Sequence, residues 1–319
     1  MSDPGDPRVG VLVMAHGTPD APDQIESFYT RIRRGRPPTP ELLDELTARY
    51  EAIGGTSPLT ARTRSQVDGL AAALEAAEPG RFVVALGTKY VHPTIEEAVG
   101  TLAADGVDRV VGLVLTPHRS TMGSGQYFER AQAAADDIDP PLAIAEVPSW
   151  HRRPEFPRIL AGRLRAVLSA VAPADRERTA VFFTAHSLPQ RAVAEGDPYP
   201  DQVAESATDV AGLLDLDADP SVTWGTAWQS AGRTPEPWIG PDLLVEMDRV
   251  AAVGATAVVV CPVGFVSDHL EVLYDLDIEA RGRADSLGIA FARTPSLDDD
   301  PAFLAMLADV VRGAADGRS

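Results

Sequence analysis

Leu12-Val13-Met14-Ala15-His16-Gly17-Thr18-Pro19 and Phe182-Phe183-Thr184-Ala185-His186-Ser187-Leu188-Pro189 decide how the chain is read. Each is an apolar run closing on alanine and histidine, then a small residue, one more residue and a proline. Runs that are apolar throughout, rather than alternating, suit strands covered on both faces, as in a parallel sheet flanked by helices. The echo extends downstream. Val84–Tyr90 is matched by Thr223–Gln229, and Val110–His118 by Ala257–Phe265, so three strand ends recur in the same order in each half. This predicts an α/β chain of two similar units, each with a four-stranded parallel sheet. The expected boundary lies near Ala170–Arg178, where Pro173 and a charged run break the pattern, giving domains 1–172 and 173–319.

Strands are expected at Val9–Met14, Phe82–Leu86, Arg109–Leu115, Leu142–Val147, Ala180–Thr184, Val222–Thr226, Ala257–Cys261 and Gly288–Ala292. Helix-period segments alternate with them: Thr39–Ala52, Arg62–Ala77, Thr94–Ala104, Tyr127–Asp137, Phe156–Val171, Gln202–Leu214, Pro241–Val253 and His269–Leu287. Alternation of this kind builds parallel sheets. His16 and His186 then stand at the carboxyl ends of strands, where open α/β sheets bind ligands. The site is expected between the halves.

Composition narrows the function. The 319 residues are 45% hydrophobic and 24% charged, with a formal charge of −19. An acidic chain lacks the basic footprint of a general nucleic-acid binder and does not dock on anionic lipid. The only lysine is Lys89, and the only cysteine, Cys261, excludes internal disulfides and an all-cysteine metal centre within one chain. The N-terminus lacks the pattern of a signal peptide, and no apolar run reaches the roughly 18 residues of a membrane span. A soluble, cytoplasmic protein is expected.

Three groups of residues could carry chemistry. His186 is either a packed histidine or, at its strand end, a proton acceptor and metal ligand near neutral pH. In Ser267-Asp268-His269-Leu270-Glu271 either Ser267 or Asp268 is a credible helix N-cap. Glu271, Asp275 and Glu279 then fall at i, i+4 and i+8, each about 6 Å further along the axis. Such a ladder is a solvated face or, given the apolar Val272, Leu273, Leu276 and Ile278 around it, a path for cations and protons. Arg31-Ile32-Arg33-Arg34-Gly35-Arg36, followed by Arg49, Tyr50 and Ser57, is a positive island in an acidic chain. It either forms surface ion pairs or meets a carboxylate or phosphate ligand, which guanidinium grips bidentately. The glycines before Tyr127 match neither a Walker A loop nor a dinucleotide fingerprint.

These segments, taken in order, resemble the ferrochelatase family, and specifically its soluble bacterial coproporphyrin members. The resemblance spans about Val9 to Arg312. Its signatures are Arg33-Arg34-Gly35-Arg36, Arg49 to Gly55 with Ser57-Pro58-Leu59, Ala185 to Pro189, Gly196-Asp197-Pro198-Tyr199-Pro200 with Gln202, Trp228-Gln229-Ser230, Pro237-Trp238, and Pro262 to Tyr274. It implies two Rossmann-like, chelatase-type domains around a porphyrin cleft and insertion of Fe²⁺ into coproporphyrin III, giving coprohaem. His186 matches the family's active-site histidine and Glu271 its partnering acid, with Asp275 and Glu279 as metal-associated acids. Arg33, Arg49, Tyr50, Ser57 and Tyr127 match porphyrin-binding positions. Fe²⁺ enters as substrate, no tightly bound cofactor or iron–sulfur cluster is expected, and transient contact with the next haem-pathway enzyme is implied.

One position departs from the family. Soluble coproporphyrin enzymes usually carry tyrosine, a ligand to the product iron, where this chain has His16. The alternatives are a chelatase for another metal or ring (cobalt, nickel, protoporphyrin IX) and a non-enzymatic haem carrier that uses His16. In the metallation reading His186 and Glu271 accept pyrrole protons and hold the metal transiently. Burial and an ionised Glu271 pull the His186 pKa in opposite directions, which leaves it expected near neutrality. Trp228, Trp238 and Tyr199 are either macrocycle contacts or core.

Overall fold

The computed structural model describes residues 8–232 and 234–318. The first half runs β1 (Val9–Ala15), α1 (Ile25–Ile32), α2 (Pro40–Ala52), α3 (Leu59–Ala77), β2 (Phe82–Thr88), α4 (Ile95–Ala104), β3 (Arg109–Val114), α5 (Gly125–Asp136), β4 (Ile144–Val147) and α6 (Glu155–Ala170). The second runs β5 (Thr179–His186), α7 (Gln190–Ala194), α8 (Tyr199–Leu213), β6 (Val222–Gln229), α9 (Leu243–Ala252), β7 (Ala257–Cys261) and α10 (Leu270–Tyr274). It continues through a π-helical segment (Asp275–Ala280) into α11 (Arg281–Leu287), β8 (Ala290–Arg293) and α12 (Pro301–Ala315). No helix among the described residues is long and apolar enough to cross a membrane.

Each half forms a four-stranded parallel sheet, ordered β2-β1-β3-β4 and β6-β5-β7-β8. The central strands are apolar on both faces because both are covered: Val9 to Ala15 are buried without a break, as are Thr179 to Ala185. The registers correspond as well. Val9 pairs with Phe82 and Arg109 in one sheet, Thr179 with Val222 and Ala257 in the other. In each sheet the chain leaves the first strand to one side and returns on the other. The resulting switch point opens a crevice at the carboxyl end of that strand.

Local signals set the helix starts. Thr94 and Glu97 form a reciprocal capping box on α4, and Asp242 and Asp300 cap α9 and α12. Each such cap contributes about 1 kcal/mol. The closing helix of each half crosses over: α6 packs on α8, β7 and β8, whereas α12 packs on α3, β3 and β4. The largest apolar core therefore runs through both halves, from Val11 and Leu74 through Phe156 and Leu164 to Phe183, Phe303 and Leu307. Crossed helices with a shared core fix how the two crevices face each other.

Candidate active site

A cavity of about 770 Å³ lies where the carboxyl ends of the two sheets meet, and it is lined by both His16 and His186. The two imidazoles are held alike. His16 Nδ1 donates to Gly17 O at 2.9 Å, and His186 Nδ1 donates to Ser187 O. The Nδ1 proton assignment follows from those carbonyl acceptors, and it leaves Nε2 of each ring as the reactive atom. Glycine makes the first turn possible and gives the second strand end its close neighbour. Gly17 adopts φ +75°, and a Cβ there would fall 2.6 Å from Val91; a Cβ on Gly264 would fall 2.5 Å from that of Ala185, beside His186.

His186 Nε2 faces Glu271 Oε1 at 3.5 Å, while His269 Nε2 approaches Glu271 Oε2 at 3.3 Å. Burial alone would depress the His186 pKa. The carboxylate of Glu271, the Ser187 carbonyl and Asp275 outweigh it and push the value up to about 9. Glu271 is held well below the usual carboxylate range: burial opposes ionisation, but His186 and His269 overcome it. The expectation of a near-neutral His186 is thus corrected. Attraction to a carboxylate in direct reach exceeds the desolvation of a ring that remains one-third exposed to the cavity. His16 goes the other way. Partial desolvation by the surrounding cavity wall pushes it down to about 4, against a weaker pull from Glu271, although the ring itself opens onto the cavity.

The acidic ladder follows a helix that is not uniform, as the continuous period predicted, but changes to π geometry at Asp275. Four residues of α-helix overshoot a full turn by about 40°. The wider π turn closes over five residues, so four of its residues fall short of one. The two offsets cancel from Glu271 through Asp275 to Glu279, and all three line the cavity. Burial, together with Glu271 and Glu279, raises Asp275 to about 6 against the Ser230 hydroxyl and Arg49. The helix start also differs from expectation. His269 occupies the N-cap without a side-chain cap bond, and the Ser267 hydroxyl is buried without a partner. Asp268 is taken by Arg293 (3.1 and 3.3 Å) and by the Ser296 hydroxyl at 2.6 Å. Arg293 also forks onto Asp277 at 2.7 and 2.8 Å, so it staples both ends of the stretch that carries Glu271 and Asp275.

The expected porphyrin contacts separate into two groups. Arg49, Tyr50 and Tyr127 line the cavity. Arg49 stacks over Tyr274 at 4.6 Å and reaches Asp275 and Glu279 at 3.6 and 3.8 Å, so it is tied to the ladder. Tyr50 packs against Ile25 and Leu270, joining α2 to α10. Arg33 and Ser57 lie outside the lining. Arg33 stands over the ring of Tyr29, which is in the lining, at 5.6 Å; Ser57 is buried and accepts from Leu59 N at 3.3 Å. Trp238 and Tyr199 line the cavity, whereas Trp228 is buried behind Tyr199.

Sequence reasoning missed two histidines. His269 stands in the Pro262–Tyr274 segment, two residues before Glu271, a spacing at which helix geometry alone does not bring it to the carboxylate. His118 closes the β3 echo, and it lines the cavity with Nε2 on the Ser206 hydroxyl at 2.8 Å. The Gly196–Pro200 motif explains itself as a clamp on the loop after β3: Asp197 accepts from Ser120 Oγ and Thr121 N, and Gln202 from Arg119 N.

The sequence profile described as Ferrochelatase matches residues 8–315. A ferrochelatase of Herpetosiphon aurantiacus is 43% identical over 307 residues, covering 96% of this chain and 99% of that protein. A coproporphyrin III ferrochelatase 1 of Bacillus anthracis is 40% identical, covering 95% and 96%. Among solved structures, SirB from Bacillus subtilis with Fe³⁺ superposes with a TM-score of 0.57 over 98% of each chain at 13% identity, a likeness of fold.

Proposed function

The chain belongs to the ferrochelatase family and is an enzyme that inserts metal into porphyrin, and on that footing we propose that its metal is Fe²⁺ and its ring coproporphyrin III. The product would be coprohaem, within haem biosynthesis. The observation that carries the reading is the His186–Glu271 pair, opening with Asp275 and Glu279 onto one cavity between the sheets.

Insertion exchanges two pyrrole protons for a divalent cation. The carboxylates of Glu271 and Glu279 supply the negative potential that draws a hydrated cation in, and the low-dielectric wall strengthens it. A cation arriving at Glu271 repels the imidazolium of His186, so His186 would pass its proton outward along the acidic segment and, once neutral, accept one pyrrole proton while a carboxylate of that segment accepts the other. Asp275, titrating near 6, is suited to take up and pass on a proton near neutral pH. In the same cavity His16 remains a neutral imidazole, with Nε2 free to ligate the metal of the product. Arg49, Tyr50 and Tyr127 would hold the ring edge. Arg33 and Ser57 are proposed as outer supports of the same contact, since neither lines the cavity. The name of the Bacillus anthracis relative and the arginines at the end of α1 and just after it support a ring with four carboxylates over one with two.

Anaerobic incubation with Fe²⁺ and either coproporphyrin III or protoporphyrin IX tests this, with visible spectra recorded for wild type and His16→Tyr. Metallation of coproporphyrin III at the higher kcat/KM is expected, with a product spectrum altered by His16→Tyr. Preference for protoporphyrin IX, or for cobalt or nickel over iron in competition, would replace the substrate assignment.

A further inference from the structure

A chain of formal charge −19 repels a polycarboxylate ring at long range. Resting on the porphyrin reading above, we propose that the exposed Arg31, Arg34 and Arg36 form a capture surface that draws a free tetracarboxylate macrocycle to the cleft and favours it over a dicarboxylate one.

The placement is specific. These arginines occupy the carboxyl end of α1 and the turn after it, and Tyr29 and Ile32 of α1 line the cavity. Arg31 donates to Tyr90 O at 2.9 Å, and the Tyr90 ring lies 4.8 Å from that of His16. Arg34 has φ +56° and is followed by Gly35 at +81°. A residue with a Cβ is disfavoured there, so Arg34 holds a backbone conformation that glycine or asparagine adopts more easily.

Clustering of unpaired charge sets the patch apart. Many arginines elsewhere are neutralised at close range, such as Arg130 by Glu96 at 2.7 Å, Arg152 by Glu205 at 2.7 Å and Arg283 by Asp248 at 2.6 Å, and those without an acid partner among the described residues, such as Arg109 and Arg158, are scattered, whereas here four stand within six residues. Among the described residues no carboxylate pairs with Arg31, Arg33, Arg34 or Arg36, although acids outnumber bases 47 to 28. Lys89 reports the local field. Burial, then Arg130 and Arg34, push its amine down to about 8 against Glu129.

Two fields of opposite sign therefore act on an incoming anion, and salt screens both. Attraction by the patch makes association slow as salt is added; repulsion by the whole chain makes it accelerate. Stopped-flow fluorescence quenching of coproporphyrin III by the full chain, without metal, reads the sign directly. From about 10 mM to about 150 mM salt the Debye length shortens from roughly 30 Å to roughly 8 Å. The wild-type association rate constant is expected to fall on the order of tenfold. Protoporphyrin IX should show a shallower slope. Arg31→Gln/Arg34→Gln/Arg36→Gln should associate on the order of tenfold more slowly at low salt, with the slope abolished or reversed. Arg36→Gln alone, with unchanged circular dichroism, should give a partial effect. A wild-type rate that rises with salt overturns the proposal, as do equal slopes for the two porphyrins or a triple variant that keeps the wild-type slope. Because no metal is used, a ring that is captured but never metallated would count against the insertion chemistry alone.

Discussion

His16 and His186 end equivalent strands in equivalent sheets, yet one imidazole is held neutral and the other charged. Both rings donate Nδ1 to the next carbonyl and both open onto the same cavity. The difference comes from the chain after β7: only the second half carries the acidic segment that places Glu271 against its histidine. A repeated strand–histidine motif thus supplies two positions, and one neighbouring carboxylate divides their chemistry. The neutral ring suits ligation; the charged ring suits proton release.

Removing each histidine in turn is the strongest way to break this comparison. His186→Ala should lower kcat by about 10²–10⁴-fold, the range for loss of a proton-transfer group, while coproporphyrin III affinity changes little. His16→Ala should retain turnover within about tenfold and change the product spectrum instead, because the role proposed for His16 is ligation and not proton transfer. Equal losses of kcat in the two variants would show that the halves are not divided in this way. Next in size, Glu271→Gln should cut kcat by about 10²-fold and return the His186 ring, followed by NMR, from about 9 toward its ordinary value. A His186 titration that stays near 9 would mean that Asp275 and the Ser187 carbonyl suffice.

The strand–histidine repeat was legible because it is local: apolar runs, a turn and a histidine lie within eight residues, and the sheets form where those runs stand. The features that were not legible depend on distant partners. Asp268 resembles an N-cap in sequence, but Arg293, 25 residues later, claims it. The change to π geometry at Asp275 leaves no mark on the apolar period, because Val272 and Leu276 are buried in either geometry. The helix Pro301–Ala315 is absent from the expected helices although Asp300 caps it and Pro301 opens it, and its crossing onto the first sheet follows from the fold as a whole.

The Arg293 staple gives a sharper test of how the acidic segment is held. Lysine keeps the charge but cannot fork, so Arg293→Lys should loosen both Asp268 and Asp277. About a tenfold fall in kcat with little change in porphyrin KM is expected, as for a misplaced catalytic group. The effect should nearly vanish in a Glu271→Gln background, because two changes acting through one carboxylate are not additive. Full additivity in that cycle would make Arg293 a general fold contact without influence on the site.

The smallest effect tests the same division through stability. The folded pKa of His186 lies above its unfolded value, so its pair with Glu271 stabilises fully below about pH 6.5 and is lost as pH rises through about 9. His16 is depressed to about 4, so its contribution is present above pH 6.5 and is lost as pH falls through about 4. Asp275, raised to about 6, complicates the acid side: its contribution is present below its unfolded value of 3.8 and disappears as pH rises through 6. Differences between variant and wild type, not the raw curve, therefore isolate each ring. His186→Gln should flatten the decline in Tm between pH 6.5 and 9, and His16→Gln the decline between pH 6.5 and 4, each by about 2 °C for a group open to the cavity. If both variants change the same limb, the two imidazoles share one environment, and the functional division between the halves fails at its electrostatic root.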